Sequence, residues 1–346
     1  MYSCETDFDT TADWENITVV YGIIDQNDSM QYIKINKAFL GEGNVLQFAQ
    51  EYDSTHYPFE MKVWIEAFNE NGQKVQTIEF DTATSYKPDD PEAVFPTGAQ
   101  TIYKGGPETF YEIKYIIEPP FDTVGFRKLW LNDENTYTLN ILFPDSSKLV
   151  TSETELVMDF AMTRPFPQSK FIKFVPNSSV PTVFAWEKPD NDEGKFRYEL
   201  RVKFNYQEKR QDNSIIDKSI DLISNVTVTP PLGGNEMTYY YWDNSFFVSC
   251  VNNIPYKDPA EEDDVKARYT VDVEMIVSVA GEAFNLFMQV YEPSSSIVQE
   301  KPPYTNVENG IGVFSSRYKI TENKLLHQET VQDLISIDDN FMKFEY

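Results

Sequence analysis

The chain has 346 residues, 41% of them hydrophobic and 15% aromatic, which excludes a disordered chain and supplies enough apolar surface for sizeable cores. Its 56 acidic against 29 basic residues leave a net charge of -27. That charge repels a phosphate backbone and provides no basic cluster for anionic headgroups, so nucleic acid and electrostatic membrane attachment are excluded. No run of 18 apolar residues is present, so no membrane-spanning helix is expected.

The chain opens Met1-Tyr2-Ser3-Cys4, a cysteine preceded by a small residue, and continues through a short acidic stretch. This has the form of a lipid-attachment cysteine followed by a tether over residues 1–15; the alternative is an ordinary thiol on a frayed terminus. A lipid anchor is compatible with the acidic charge, because its membrane affinity comes from buried methylenes. The second cysteine, Cys250, lies in an apolar run and reads as a small buried side chain.

Residues 16–24 alternate β-branched side chains, and 25–29 are a turn cluster leading into a second strand over 30–39, together a hairpin. Leu46, Phe48, Ala49 and Tyr52 have helical spacing, with Asn44 as N-cap. Residues 62–68 and 75–80 form a strand pair around Asn71-Gly72, and 82–100 read as a long exposed loop. Further strands are expected at 110–116 and 126–131. The clearest hairpin joins 136–143 to 148–156, with Tyr137, Leu139 and Ile141 on one face. Frequent short strands of this kind predict an immunoglobulin-like β-sandwich over 16–162, without the Cys–Trp–Cys framework of antibody domains.

Thr163-Arg164-Pro165-Phe166-Pro167 interrupts the pattern and marks a domain boundary. Beyond it, strands are expected at 171–175, 182–186, 196–206, 214–223, 237–242, 268–279 and 311–318. Helices are expected at 244–254, 281–290 and 330–335, and an acidic loop at 258–264. The fold class is therefore mainly β, with an antiparallel β-sheet domain carrying one or two packed helices over 168–346.

Chemistry-bearing motifs are sparse. His56 and His327 are the only histidines and read as surface residues in loops. There is no H-E-x-x-H, C-x-x-C, G-x-S-x-G or phosphate-cradling glycine loop. Asp190, Asp192 and Gly194 imitate a calcium loop, but Gly194 is fifth where an EF-hand needs its glycine sixth, so a hairpin turn is the better reading and no cofactor is assigned. The run Tyr239-Tyr240-Tyr241-Trp242 is the densest aromatic segment. Successive residues of a strand point to opposite faces, so about half of it belongs to a core. Tyr239, Tyr241 and Trp242 are the candidate aromatics for a glycan or peptide ligand, and loops 82–100 and 255–265 the candidate carriers of specificity.

The segment Tyr304-Thr305-Asn306-Val307-Glu308-Asn309-Gly310-Ile311-Gly312-Val313-Phe314-Ser315-Ser316 resembles a closing motif of a Bacteroidota outer-membrane lipoprotein family classed as a domain of unknown function. The helical pattern before it and the T-Y-T-L-x-I hairpin at residues 136–141 are also similar to that family. The resemblance implies lipidation at Cys4, attachment to the outer membrane with exposure at the cell surface, and partnership with a TonB-dependent receptor. It carries no catalytic residue. A non-enzymatic surface lipoprotein is the expectation, with an adhesin or pilus-associated protein, or a glycan-active hydrolase, as alternatives.

Overall fold

The structure is a computed structural model that describes residues 15–40, 51–89, 97–117, 123–229, 234–291, 304–337 and 341–346. It is mainly β, with 52% of residues in strands and 15% in helices, the class that the alternation and the aromatic content call for. Among the described residues no helix is long and apolar enough to cross a membrane. The chain divides into two compact units. One gathers Met1–Ile116, Val124–Leu156 and Gly281–Arg317, the other Ile117–Thr123, Val157–Ala280 and Tyr318–Tyr346. The change of unit at Val157 precedes the proline-rich 163–167 segment. The return of Gly281–Arg317 to the first unit leaves no local mark in the sequence, so the units are not two consecutive blocks.

In chain order the elements are β1 (Glu15–Asp25), β2 (Gln31–Leu40), α1 (Tyr52–Thr55), β3 (Lys62–Phe68), β4 (Lys74–Lys87), β5 (Gly98–Gly105), β6 (Tyr111–Ile117), β7 (Thr123–Leu129), β8 (Thr136–Leu142), β9 (Leu149–Glu155) and β10 (Met162–Arg164). They continue with β11 (Phe171–Ile172), β12 (Thr182–Glu187), β13 (Arg197–Arg210), β14 (Ile215–Val228), β15 (Glu236–Tyr241), α2 (Asp243–Asn253), α3 (Pro259–Asp264), β16 (Val265–Ala280), α4 (Glu282–Tyr291), β17 (Val307–Glu308), β18 (Ile311–Leu326), α5 (Gln328–Ser336) and β19 (Phe344–Glu345).

In the first unit β4 serves two ladders. Its first half pairs with β3, Val63 facing Phe80, and its second half with β5, Asp81 facing Lys104. The long loop expected over 82–100 is therefore strand at both ends, and only its middle, 88–97, lies between strands; residues 90–96 are outside the described set. One ladder continues through β5, β2 and β1, the other through β3, β8 and β9. Their inner faces share one core, in which Val20, Ile24 and Ile33 meet Val63, Ile65, Tyr137, Leu139, Ile141 and Val150. This is the sandwich arrangement. Most of the helix expected over 44–52 falls outside the described residues; the helix that is described begins at Tyr52.

The closing motif has a structural explanation in this unit. β1 pairs in parallel with β18, Val19 facing Ile311 and Asp25 facing Arg317. The Asn306 side chain accepts from the Phe314 amide at 3.1 Å and donates to its carbonyl at 2.7 Å, clamping the turn that feeds β18. Asn309, at φ 57°, donates to the Leu149 carbonyl at 2.9 Å. Gly312 sits at φ +115°, where a Cβ would lie 2.0 Å from the Val20 carbonyl oxygen, so no larger residue fits. Ser316 donates to the Glu155 carbonyl at 2.7 Å, and Ser315 accepts the Phe284 amide at the start of α4 at 3.1 Å. The motif is thus a set of wedges and clamps that seats β18.

In the second unit β13 pairs antiparallel with β14 and β16 over nearly its whole length. Its inward residues Tyr198, Leu200, Val202 and Phe204 pack with Val273, Met275, Val277 and Val279 of β16, all 0–1% exposed. The expected antiparallel domain carries two short parallel additions, β11 on β18 and β19 on β16. A separate three-stranded antiparallel ladder runs β10-β12-β15. Helix α2 buries Phe246, Phe247 and Cys250; Phe246 stacks on Phe174 at 4.4 Å and meets Phe204 edge-on at 5.4 Å.

The acidic stretch 258–264, expected as a solvated loop, is helix α3, capped by Asp258 accepting from the Ala260 amide. Asp258, Glu261, Asp263 and Asp264 are exposed, as expected, and Glu262 serves a buried cation. Arg268 is fully buried; it donates through Nε to Glu208, itself 0% exposed, at 2.9 Å and through both terminal nitrogens to Glu262 at 2.9 and 2.7 Å. Arg210 and the Tyr256 hydroxyl both donate to the second Glu208 oxygen at 2.9 Å. Burial alone would raise the Glu262 carboxyl, but the hydrogen bonds from Arg268 and the Tyr256 amide hold it below its usual range. This part of the 255–265 segment is consumed in holding the fold.

Candidate ligand-binding face

The four aromatics at 239–242 divide by the two-residue period of a strand. Tyr241 is buried at 6% exposure and Tyr239 is half-buried, on the same face of β15 as the buried Met237. Tyr240 is 63% exposed and Trp242 57% exposed, on the opposite face. Tyr241 is therefore corrected from a ligand-binding aromatic to a core residue. Burial pushes its phenol pKa upward, and its ring meets Phe174 at 5.9 Å and Phe184 at 6.1 Å. Tyr240 takes its place at the surface. The alternation itself was readable; which parity faces outward depends on Phe184 and Trp186 of β12, which lie opposite Tyr239 and Met237 and are 0% exposed.

Trp242 follows the last residue of β15 and is the N-cap of α2, with extended backbone at φ -71° and ψ 118°. What fixes it is the next residue. Asp243 is 5% exposed, and its carboxylate takes three donors: the Thr182 amide at 2.9 Å, the Thr182 hydroxyl at 2.7 Å and the Val175 amide at 3.0 Å. This acid at the first turn also complements the positive end of the helix. The strand end, the helix start and the neighbouring β12 are thereby tied at one point, and Trp242 projects from that knot.

Cross-strand pairing extends the outward face. Val183 lies opposite Tyr240, and Arg164 of β10 lies opposite Ala185, which pairs with Thr238 and is itself 1% exposed. The Arg164 guanidinium stacks 3.9 Å from the ring centre of Phe166, which is 55% exposed. Thr163 donates to Glu236 at 2.6 Å, linking β10 to the start of β15. The face thus presents two exposed rings at positions i and i+2 of an extended segment, whose Cα atoms lie about 7 Å apart, and two strands away a stacked cation–aromatic pair. Such rings have few torsions to freeze, so contact with a flat apolar surface of a ligand costs little entropy. The arrangement suits stacking on a sugar ring or an apolar peptide side chain.

The remaining sequence candidates have other roles. His56 is not a surface residue: it is 4% exposed, stacked on Tyr52 at 3.8 Å, and burial holds its pKa below the ordinary value. His327 caps α5 by accepting the Glu329 amide at 3.3 Å. Cys250 is buried, and its thiol is pushed well above the usual range by that burial. Asp192 accepts the amides of Gly194, Lys195 and Phe196 through one oxygen and the Tyr198 hydroxyl through the other, so its lone pairs serve the turn. Among the described residues no three His, Cys, Asp or Glu side chains are grouped to hold a metal ion. Cys4 lies outside the described residues.

Compared with known proteins, the chain matches no family model, and no curated protein matches it.

Proposed function

We propose that this chain is a non-enzymatic, lipid-anchored surface protein of the outer membrane, attached through Cys4, which binds a ligand on the Tyr240–Trp242 face. The observation that carries the binding reading is the pair of large rings held out on a strand–helix junction that Asp243 fixes with three hydrogen bonds. Apolar surface gathered in one place marks interaction sites more often than side chains exposed singly. The Cys4 tether supports placement on a membrane by acyl chains, with which the acidic charge is compatible. A TonB-dependent transporter is the partner that the sequence resemblance suggests, with a glycan or peptide as the ligand it would receive.

Two experiments separate the parts of this proposal. Metabolic labelling of the full-length precursor with a lipid analogue tests the anchor: the account expects label on the wild type and none on Cys4→Ala. Affinity electrophoresis through gels containing soluble polysaccharides tests the face. The wild type should be retarded by at least one polymer, and Tyr240→Ala with Trp242→Ala should migrate freely. Equal retardation of wild type and double variant removes the face from the proposal.

A further inference from the structure

Helix α4 of the first unit is too apolar for where it sits. Seven of its ten residues are apolar, and Glu282 at its first position is its only charge. Glu282, Asn285 and Gln289 fall on one polar stripe, and apolar residues occupy the rest of the circumference. A helix of that composition belongs in a core, yet none of its residues is buried. Leu286 is 36% exposed and Tyr291 56% exposed. The helix is firmly seated all the same. The Gly281 amide donates to the Ser316 carbonyl at 2.9 Å and the Phe284 amide to the Ser315 hydroxyl at 3.1 Å.

The exposed surface continues from α4 onto β1 and β2. Phe287 meets the Tyr21 ring edge-on at 6.0 Å and the Tyr291 ring at 4.4 Å. Tyr21 faces Lys34 across the β1–β2 ladder, and Tyr32, two residues before Lys34, shares its side of the sheet. Tyr21 is 45% exposed and Tyr32 53% exposed. Lys34 donates to Gln100 at 2.9 Å. The face thus sets three exposed tyrosines around Phe287 and Leu286. A tyrosine joins an apolar ring to a polar tip, the combination that favours the boundary between hydrocarbon and water.

We infer that α4, with Tyr21 and Tyr32, rests on a lipid surface of neutral headgroups and dips its apolar side chains into the interface. The inference rests on the lipid anchor proposed at Cys4 and adds to it the side of the first unit that meets the bilayer. The chain from Cys4 to Glu15 reaches at most about 40 Å, and Tyr21 stands about 20 Å from Glu15 along β1. The acyl chains therefore reach the bilayer that α4 touches. Charge selects the occupant. A second copy of this chain brings another net charge of -27, which repels the first, and an anionic bilayer repels it likewise. A neutral bilayer asks for no ion pair, and α4 has no cation to offer one. Its contact draws on apolar area alone.

The test is flotation of the full chain carrying Cys4→Ser with vesicles of pure phosphatidylcholine, so that no acyl anchor contributes. The protein should float with the vesicles in a saturable manner, and less with vesicles of phosphatidylglycerol. Leu286→Glu/Tyr291→Glu on α4, and separately Tyr32→Glu on β2, should each raise the lipid needed for half-maximal flotation about tenfold with an unchanged thermal midpoint. Tyr240→Ala/Trp242→Ala should float like its parent. A chain that stays in the aqueous phase at every lipid concentration, or charged variants that float like their parent, would overturn the inference. So would a concentration-dependent dimer in sedimentation that Leu286→Glu/Tyr291→Glu dissolves, which assigns the face to a second copy. Absence of lipid label on Cys4 would refute the anchor and leave the flotation result standing, so the two failures are distinguishable.

Discussion

Replacing Asp243 by alanine probes the knot behind the candidate face. The substitution deletes three hydrogen bonds to a carboxylate that is 5% exposed: two from backbone amides, Thr182 and Val175, and one from the Thr182 hydroxyl. A hydrogen bond to a charged group contributes about 1.5–3 kcal/mol, and a buried donor left without a partner costs about 1–3 kcal/mol. The hydroxyl can rotate toward water, so two orphaned amides dominate, and loss of the acid in the first turn of α2 adds about 0.3–1 kcal/mol. Some relaxation will admit solvent to the Val175 amide. A loss near 3–4 kcal/mol is therefore expected, a large share of a domain's stability. Thr182→Val, which removes only the hydroxyl, should cost about 1 kcal/mol. Urea unfolding followed by circular dichroism measures both, with the midpoint moving and the slope unchanged. If Asp243→Ala and Thr182→Val lose the same amount, or Asp243→Ala loses less than about 1 kcal/mol, the amides are not held as described.

Three further outcomes follow from the same reasoning. Arg268→Ala should destabilise the protein by about 3–5 kcal/mol, because Glu208 at 0% exposure would keep only Arg210 as its cation and Glu262 would lose two guanidinium bonds; adding Glu208→Gln should recover part of that loss in a double-mutant cycle. Asp25 is 3% exposed, and burial, opposed chiefly by the Asn27 amide, raises its pKa to about 6. The folded state thus holds this proton to higher pH than the unfolded chain, so stability falls as pH rises from about 4 to about 6, by up to about 3 kcal/mol. Asp25→Asn should match the wild type near pH 4 and exceed it at pH 7, as read by urea midpoints across that window; parallel curves would contradict the burial of this carboxyl. Gly312→Ala should lower the thermal midpoint by well over 4 °C, since its Cβ would meet the Val20 carbonyl at 2.0 Å in a backbone region that L-residues avoid.

Much of the fold was legible because its signals are local. The hairpin expected at 136–143 and 148–156 is β8 and β9, with Tyr137, Leu139 and Ile141 at 0–1% exposure on one face. The helices expected at 244–254 and 281–290 are α2 and α4 within a residue at each end. What was not legible depends on partners distant in sequence. The parallel pairing of β1 with β18 joins residues nearly three hundred positions apart, and β4 changes neighbours at Asp81 without any break in its own pattern. The acids at 258–264 are mostly solvated, as read; the role of Glu262 was not legible because its partner Arg268 is brought to it by β16. At the candidate site the aromatic run and its alternation were visible. Its parity was not, because Tyr240 and Tyr241 are the same residue type and only the packing of β12 separates them.

Trp242 offers the most direct test of the central claim. It is 57% exposed, whereas Trp186 is 0% exposed and Trp64 and Trp130 are half-buried. Difference emission between the wild type and Trp242→Phe isolates its signal during titration with the polysaccharide that retards the protein most strongly. The account predicts a saturable change in that signal, protection of Trp242 from acrylamide, and an affinity at least tenfold weaker in Tyr240→Ala, equivalent to about 1.4 kcal/mol. A ligand that binds with unchanged affinity to Tyr240→Ala and leaves the Trp242 emission and quenching untouched would contradict it.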